Sequence, residues 1–175
     1  MATAVDAYDD RWPAMADAMR AQIDQAVPGL FADIEHIGST AVPGLAAKPI
    51  IDLMAATASL DAVVAREDAL GTLGFRRIET GMPDRLFYAR DDEVGRRTHH
   101  LHVVPLAAWD TRNERLLRDH LRTHPRDRDR YAMLKQTARD KDGEDYTRAK
   151  TAVIQYLVDR ARSERGLPSV PVWEE

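Results

Sequence analysis

Residues 49–56, PIIDLMAA, restrict the fold more than any other stretch of this chain. Read as a strand, the segment puts Ile50, Asp52 and Met54 on one face and Ile51, Leu53 and Ala55 on the other. Both faces are apolar apart from one carboxylate, which predicts a central strand covered on both sides. A two-faced strand needs helices or other layers against it, so the chain must fold as a layered structure and not as an isolated bundle. Asp52 is the exception that has to be explained.

The rest of the pattern supplies the layers. Met15, Met19, Ile23 and Val27 predict an amphipathic helix over 12–27, stopped by Pro28 and Gly29. FADIEHIG, residues 31–38, reads as a strand, and 59–73 as a helix with Leu60, Val63, Val64 and Leu70 inward, closed by Gly74. FRRIE, RLFYAR and THHLHVVPL read as three more strands, the last two separated by the turn-prone DDEVGR. Beyond Pro105 the period changes to three helices, over 110–123, 126–140 and 144–163, bounded by Pro125 and Gly143. The last buries Val153, Ile154, Leu157, Val158 and Ala161, and residues 166–175 read as an irregular tail. The sum is one α+β domain over 1–165 with a helical C-terminal part.

The 175-residue chain contains no cysteine, which removes disulfides, thiolate nucleophiles and cysteine-bound zinc and fits a reducing cytoplasm. No apolar run approaches the ~20 residues of a membrane span, and the first residues lack the pattern of a signal peptide, so a cytoplasmic protein with no membrane partner is expected. The net charge of -4 gives no reason to expect DNA binding. Residues 112–141 nevertheless carry ten Lys or Arg against five Asp or Glu. Arg112, Arg115, Arg118 and Arg122 form a stripe interleaved with Glu114 and Asp119, which reads as a solvated helix face. With Tyr131 the lone aromatic there, no stacking platform for single strands is indicated, and RNA stays a secondary expectation.

A carboxylate inside an apolar strand must meet a cation, a metal ion or several donors. One reading of Asp52 is a structural ion pair with an arginine; the other is a site. Gly38, Ser39 and Thr40 favour the second, because they follow one strand and precede the strand that carries Asp52. Glycine allows close backbone approach, and Ser39 or Thr40 can cap a short helix facing an anion. His100 and His102 alternate with Leu101 and Val103, so both imidazoles share one face of their strand, where they could chelate a metal or act as acid and base. His99 points the other way and reads as structural. Lys48, Arg85 and Arg97 flank these strands and could meet an anionic substrate or neutralise Asp52.

The stretch IEHIGSTAVPGLAAKPIID resembles the signature of the GrpB family, a group related to nucleotidyltransferases. The likeness continues through YDDRWP, RRTHHLHVVP, LLRDHLRTHP, YAMLKQTA and YTRAK, and so covers nearly the whole chain. It implies a nucleotidyltransferase-like mixed sheet flanked by helices, with Gly38 and Ser39 holding the phosphates of a nucleoside triphosphate. It also implies that Asp52 is a metal-binding carboxylate. The wider superfamily has a second carboxylate two residues on, where this chain has Met54, so one hard oxygen ligand is lost. Glu35 could replace it, or His100 and His102 could complete a two-histidine, one-carboxylate set that prefers Zn²⁺, Mn²⁺ or Fe²⁺ to Mg²⁺. By the same analogy Lys135, Tyr146 and Lys150 would close over a substrate; packing on the helix surface is the plainer reading of the three. The expectation is a metal-dependent nucleotidyltransferase with an unidentified acceptor, using Mg²⁺ or Mn²⁺, with Zn²⁺ as the alternative ion. The alternatives are a nucleotide-binding module that lost catalysis with Met54, and a histidine-based metal or phosphate-hydrolysing site.

Overall fold

The computed structural model describes residues 5–137 and 144–172 and resolves into two compact units, Met1–Asp110 and Thr111–Glu175. In the first, α1 (Trp12–Ala26) is followed by β1 (Asp33–Ile37), a 3₁₀ turn (Ser39–Ala41) and β2 (Ile51–Thr57). Then come α2 (Leu60–Val64), α3 (Glu67–Gly71), β3 (Phe75–Arg77), β4 (Leu86–Asp91) and β5 (Arg97–Pro105). The five strands form one sheet in the order β1-β2-β5-β4-β3. β2 and β5 are parallel and every other neighbouring pair is antiparallel. The result is a mixed α+β architecture.

β2 is internal and covered on both faces. Ile51, Leu53 and Ala55 join Leu101, Val103 and Tyr88 in the larger core, closed by Trp12, Ala16, Met19 and Ile23 of α1. On the opposite face Met54 and Ala56 pack with Ile37, Val104 and Trp109 in a second cluster. Asp52 lies on this second face at the strand's beginning, its side chain 25 % exposed, whereas Met54 two residues on is 0 % exposed. The face therefore passes from polar to closed core within one period of the strand.

Several elements depart from expectation. The buried stripe of α1 is Trp12, Ala16, Met19 and Ile23, while Met15 is exposed. A strict four-residue spacing drifts by about 40° per step around a 3.6-residue helix, so Met15 and Ile23 cannot share one narrow face. The helix over 59–73 is two short ones, with Arg66 between them at φ -119° and ψ 16°. Restarting at Glu67 lets its carboxylate accept from Tyr88 Oη at 2.8 Å and Arg77 Nη1 at 3.1 Å, and Val64 is left exposed.

The second unit holds α4 (Asn113–Thr123), α5 (Pro125–Thr137) and α6 (Glu144–Ser163), with α4 packed on α5 and α6. Pro125 opens α5, a position where its missing N–H costs nothing. Leu157, Val158 and Ala161 are buried as expected; Val153 and Ile154 are only half-buried. Arg112 and Arg118, expected in a solvated stripe, are buried. Arg118 donates to Asp119, so its charge is compensated where the helix packs. The end of the helix expected over 126–140, the boundary at Gly143 and the end of the tail lie outside the described residues. Among the described residues no helix is long and apolar enough to cross a membrane.

Candidate functional site

β1 ends into Gly38, whose φ of 74° and ψ of -173° are a conformation that side-chain-bearing residues rarely adopt. A Cβ built there would lie 2.5 Å from Asp52 Oδ2. Both backbone angle and contact therefore demand glycine, and the loop main chain runs directly over the carboxylate. The following 3₁₀ turn, Ser39–Ala41, begins from Gly38 with no side-chain cap. Ser39 is half-buried within it. Thr40 is buried and takes a structural part: its hydroxyl accepts from His36 Nε2 at 2.8 Å and donates to the carbonyl of Ile50 at 3.2 Å. That pair of bonds fastens the loop to the entrance of β2.

Strand register brings the polar groups together. Asp52 pairs with His100 across the parallel β2–β5 ladder, and Met54 with His102. His100 Nδ1 donates to Asp52 Oδ1 at 2.8 Å, so the ring proton sits on Nδ1 and Nε2 accepts from Arg97 Nη1 at 3.1 Å. Arg97 Nε donates in turn to Asp91 Oδ1 at 2.6 Å. Hydrogen bonds from Arg76 and Arg97 hold the Asp91 carboxyl below the usual carboxylate range. Phe87 of β4 packs against both imidazoles, with ring centroids 5.0 Å from His100 and 4.8 Å from His102. One donor atom each from Asp52, His100 and His102 lie within 4.8 Å of one another.

Other expected site residues are placed differently. Glu35 stands on β1 opposite Met54, half-buried, and does not join the convergent set. Lys48 is exposed just ahead of β2. Arg85 is buried beside a cavity of about 270 Å³ lined also by Ile78, Gly81, Met82 and Phe87. Because Leu86 pairs with Val103 and Ala89 with His100, Arg85 lies about 13 Å further along the sheet than the Asp52–His100 pair. His99 faces the opposite side, where burial, with Arg90 adding to it, pushes its pKa down to about 4. Lys135 Nζ lies 4.7 Å from the Tyr131 ring, and the side chain of Tyr146 lies outside the described residues.

Phe87 and His36 are the site-supporting residues that sequence reading missed. The alternation of RLFYAR puts Phe87 and Ala89 on one face, but only the register of β4 on β5 sets Phe87 against His102. No local signal in the sequence carries that register.

The GrpB protein family model matches residues 2–160. The chain belongs to the GrpB family. A UPF0157 protein of Pseudomonas aeruginosa is 39 % identical over 174 residues, covering 93 % of this chain and 69 % of that protein. A second UPF0157 protein, from Streptomyces coelicolor, is 36 % identical over 161 residues, covering 90 % of this chain and 83 % of the relative. The crystal structure of the conserved protein GrpB from Enterococcus faecalis superposes with a TM-score of 0.82 at 26 % identity, covering 93 % of this chain and 99 % of that one. The GrpB fold extends to the Cid1 poly(U) polymerase with MgGTP bound, at TM-score 0.54 and 18 % identity over 77 % of this chain and 45 % of that one. It extends also to the GLD-2/RNP-8 complex, at TM-score 0.59 and 15 % identity over 97 % of this chain and 74 % of that one. At such identities these two likenesses establish a shared nucleotidyltransferase-like fold, and the GrpB site stands on its own geometry.

Proposed function

We propose that this GrpB protein transfers a nucleotidyl group from a nucleoside triphosphate to an unidentified acceptor, assisted by one divalent ion. The observation that carries the reading is the position of Asp52. It stands at the mouth of an internal strand, beneath the bare Cα of Gly38 and bonded to His100. The donor set fits one ion better than a pair: Asp52 offers the sole carboxylate in the convergent group, and Met54 is sealed in apolar core. Two imidazoles with one carboxylate suit Mn²⁺ or Zn²⁺ before Mg²⁺. A bound ion would neutralise phosphate charge and hold the α-phosphoryl group for attack.

The chain's own groups have distinct tasks. Gly38 lets the Ser39 loop approach phosphate oxygens, and Ser39 supplies a hydroxyl there. His100 keeps its proton on Nδ1 against Asp52 while Arg97 fixes the ring through Nε2. An ion held at Nδ1 would require the ring proton to move to Nε2 and Arg97 to give up its bond there. Phe87 walls the pair of imidazoles and limits water on that side.

Incubation with α-labelled nucleoside triphosphates, Mn²⁺ and a cell extract as acceptor source tests the reading. Label should pass to an acceptor, and Asp52→Asn should reduce transfer at least about 100-fold. A binding module without transfer is the second reading, favoured by the burial of Met54. Its signature is nucleotide binding by calorimetry, weakened by Ser39→Ala about 5- to 30-fold, with no label incorporated. Absence of both binding and transfer removes both readings.

A further inference from the structure

The second unit contains a convergence of ligating atoms that nucleotidyl transfer does not use. His120 lies in the last turn of α4, His124 is the residue that caps that helix, and Glu164 follows the end of α6. His120 Nε2 lies 2.7 Å from Asp127 Oδ2, and Asp127 is itself buried. His124 Nδ1 lies 2.9 Å from the carbonyl oxygen of His120. A carbonyl only accepts, so His124 carries its proton on Nδ1; the Asp127 carboxylate assigns the proton of His120 to Nε2 in the same way.

Those two bonds leave His120 Nδ1 and His124 Nε2 with lone pairs, and both face one carboxylate. Nδ1 of His120 is 3.4 Å from Glu164 Oε2, and Nε2 of His124 is 3.1 Å from Glu164 Oε1. His120 is 3 % exposed, and its Nδ1 is buried without a hydrogen-bond partner among the described residues. A cation placed among these atoms would satisfy both ring nitrogens and the carboxylate together. The two imidazoles are stacked, with ring centroids 3.9 Å apart.

We propose that His120, His124 and Glu164 bind a Zn²⁺ ion, with Asp127 as the carboxylate that orients His120. Two neutral imidazoles and one carboxylate are a zinc donor set, and tetrahedral bonds of about 2.0–2.1 Å put neighbouring ligand atoms about 3.3 Å apart. Both histidine–glutamate separations already match. The three donor atoms lie within 4.8 Å of one another, and convergence of the two in-plane lone pairs needs His124, whose side chain is 33 % exposed, to turn out of its stack on His120. The Asp127–His120 bond is the outer support by which a carboxylate fixes a ligating ring. Arg160 Nε, 3.4 Å from Asp127 Oδ2, offsets the charge of Asp127 and lies in the field of Glu164 as well. The exposure of Glu164 leaves a fourth position for water.

The test is zinc titration of the full chain, stripped with chelator, in competition with a chromophoric chelator. A His100→Ala/His102→Ala background silences the other histidine set, so the two sites are counted separately. The background protein should bind one zinc per chain. Adding His124→Ala or Glu164→Gln should weaken binding at least about 10-fold, and Asp127→Asn about 10- to 100-fold. Co²⁺ in place of zinc should give the visible absorption of a four-coordinate site, lost in the same variants. His124 and Glu164 are partly exposed, and metal-free thermal melts of both variants should match the background, which separates lost ligation from lost folding. Zinc affinity unchanged by His124→Ala and Glu164→Gln, or no zinc bound by the background, overturns the proposal.

Discussion

Gly38 and Asp52 are coupled residues, and their coupling predicts what substitution does. Gly38→Ala would force a side chain into a positive φ and place its Cβ 2.5 Å from Asp52 Oδ2. The backbone term alone is about 1–2 kcal/mol. Relief of the contact would push the carboxylate away from His100 or lift the loop. Urea denaturation should therefore show a loss of about 1–3 kcal/mol, and binding of nucleoside triphosphate with Mn²⁺ should fall with it. Asp52→Asn keeps the shape and an acceptor for His100, so its denaturation curve should stay close to wild type while metal affinity drops. A variant in which stability falls and metal affinity is unchanged would place Asp52 as a structural ion-pair partner instead.

β2 shows at the scale of an element what was legible in the sequence and what was not. Its two apolar faces announced an internal strand, and the alternation of Ile51, Leu53 and Ala55 assigned the larger core. The same alternation put Asp52 and Met54 on one face, correctly, yet said nothing of where that face closes. Closure depends on Ile37, Val104 and Trp109, which reach Met54 from other segments of the chain. Likewise the histidine pair is visible as a period of two and Arg97 as a flanking cation, while Phe87 becomes their neighbour only through the β4–β5 register, which no short motif encodes. The histidines at the end of α4 carry no local signal of a site, because their partner, Glu164, is 40 residues beyond His124. A decisive test at this scale is Met54→Asp. A charge introduced at a position 0 % exposed, among apolar neighbours, should lower stability by several kcal/mol in thermal or urea melts, with no extra protection by Mg²⁺ and nucleotide. Met54→Leu, which nearly conserves volume, should cost less than about 1.5 kcal/mol. A Met54→Asp protein that is folded and gains Mg²⁺ affinity would show that this face can open.

The stability of the whole molecule should depend on pH through a group outside the candidate site. His99 sits among the larger core's strands, 6 % exposed, with Arg90 Nη1 and Thr98 Oγ1 3.3 and 3.0 Å from its Nδ1. Burial, reinforced by the Arg90 charge, lowers its pKa from 6.5 to about 4. Between those values the unfolded chain binds a proton that the folded one excludes, so folding stability rises with pH across this window and is complete above about 6.5. The contribution is at most about 3 kcal/mol, lost progressively as pH falls from 6.5 toward 4. Ion-paired Asp91, whose pKa is lowered by Arg76 and Arg97, acts in a more acidic window, because its contribution is lost only when the carboxylate itself protonates. The two sources are separable by substitution. His99→Phe keeps an aromatic ring against Phe75 but cannot take up a proton, so its urea stability should decline less steeply than the wild type's from pH 6.5 to 4. Asp91→Asn should retain the wild-type decline in that window and change the curve only below it. If His99→Phe declines as steeply as wild type, acid sensitivity belongs to other titratable groups, and the proton excluded from the core is not its source.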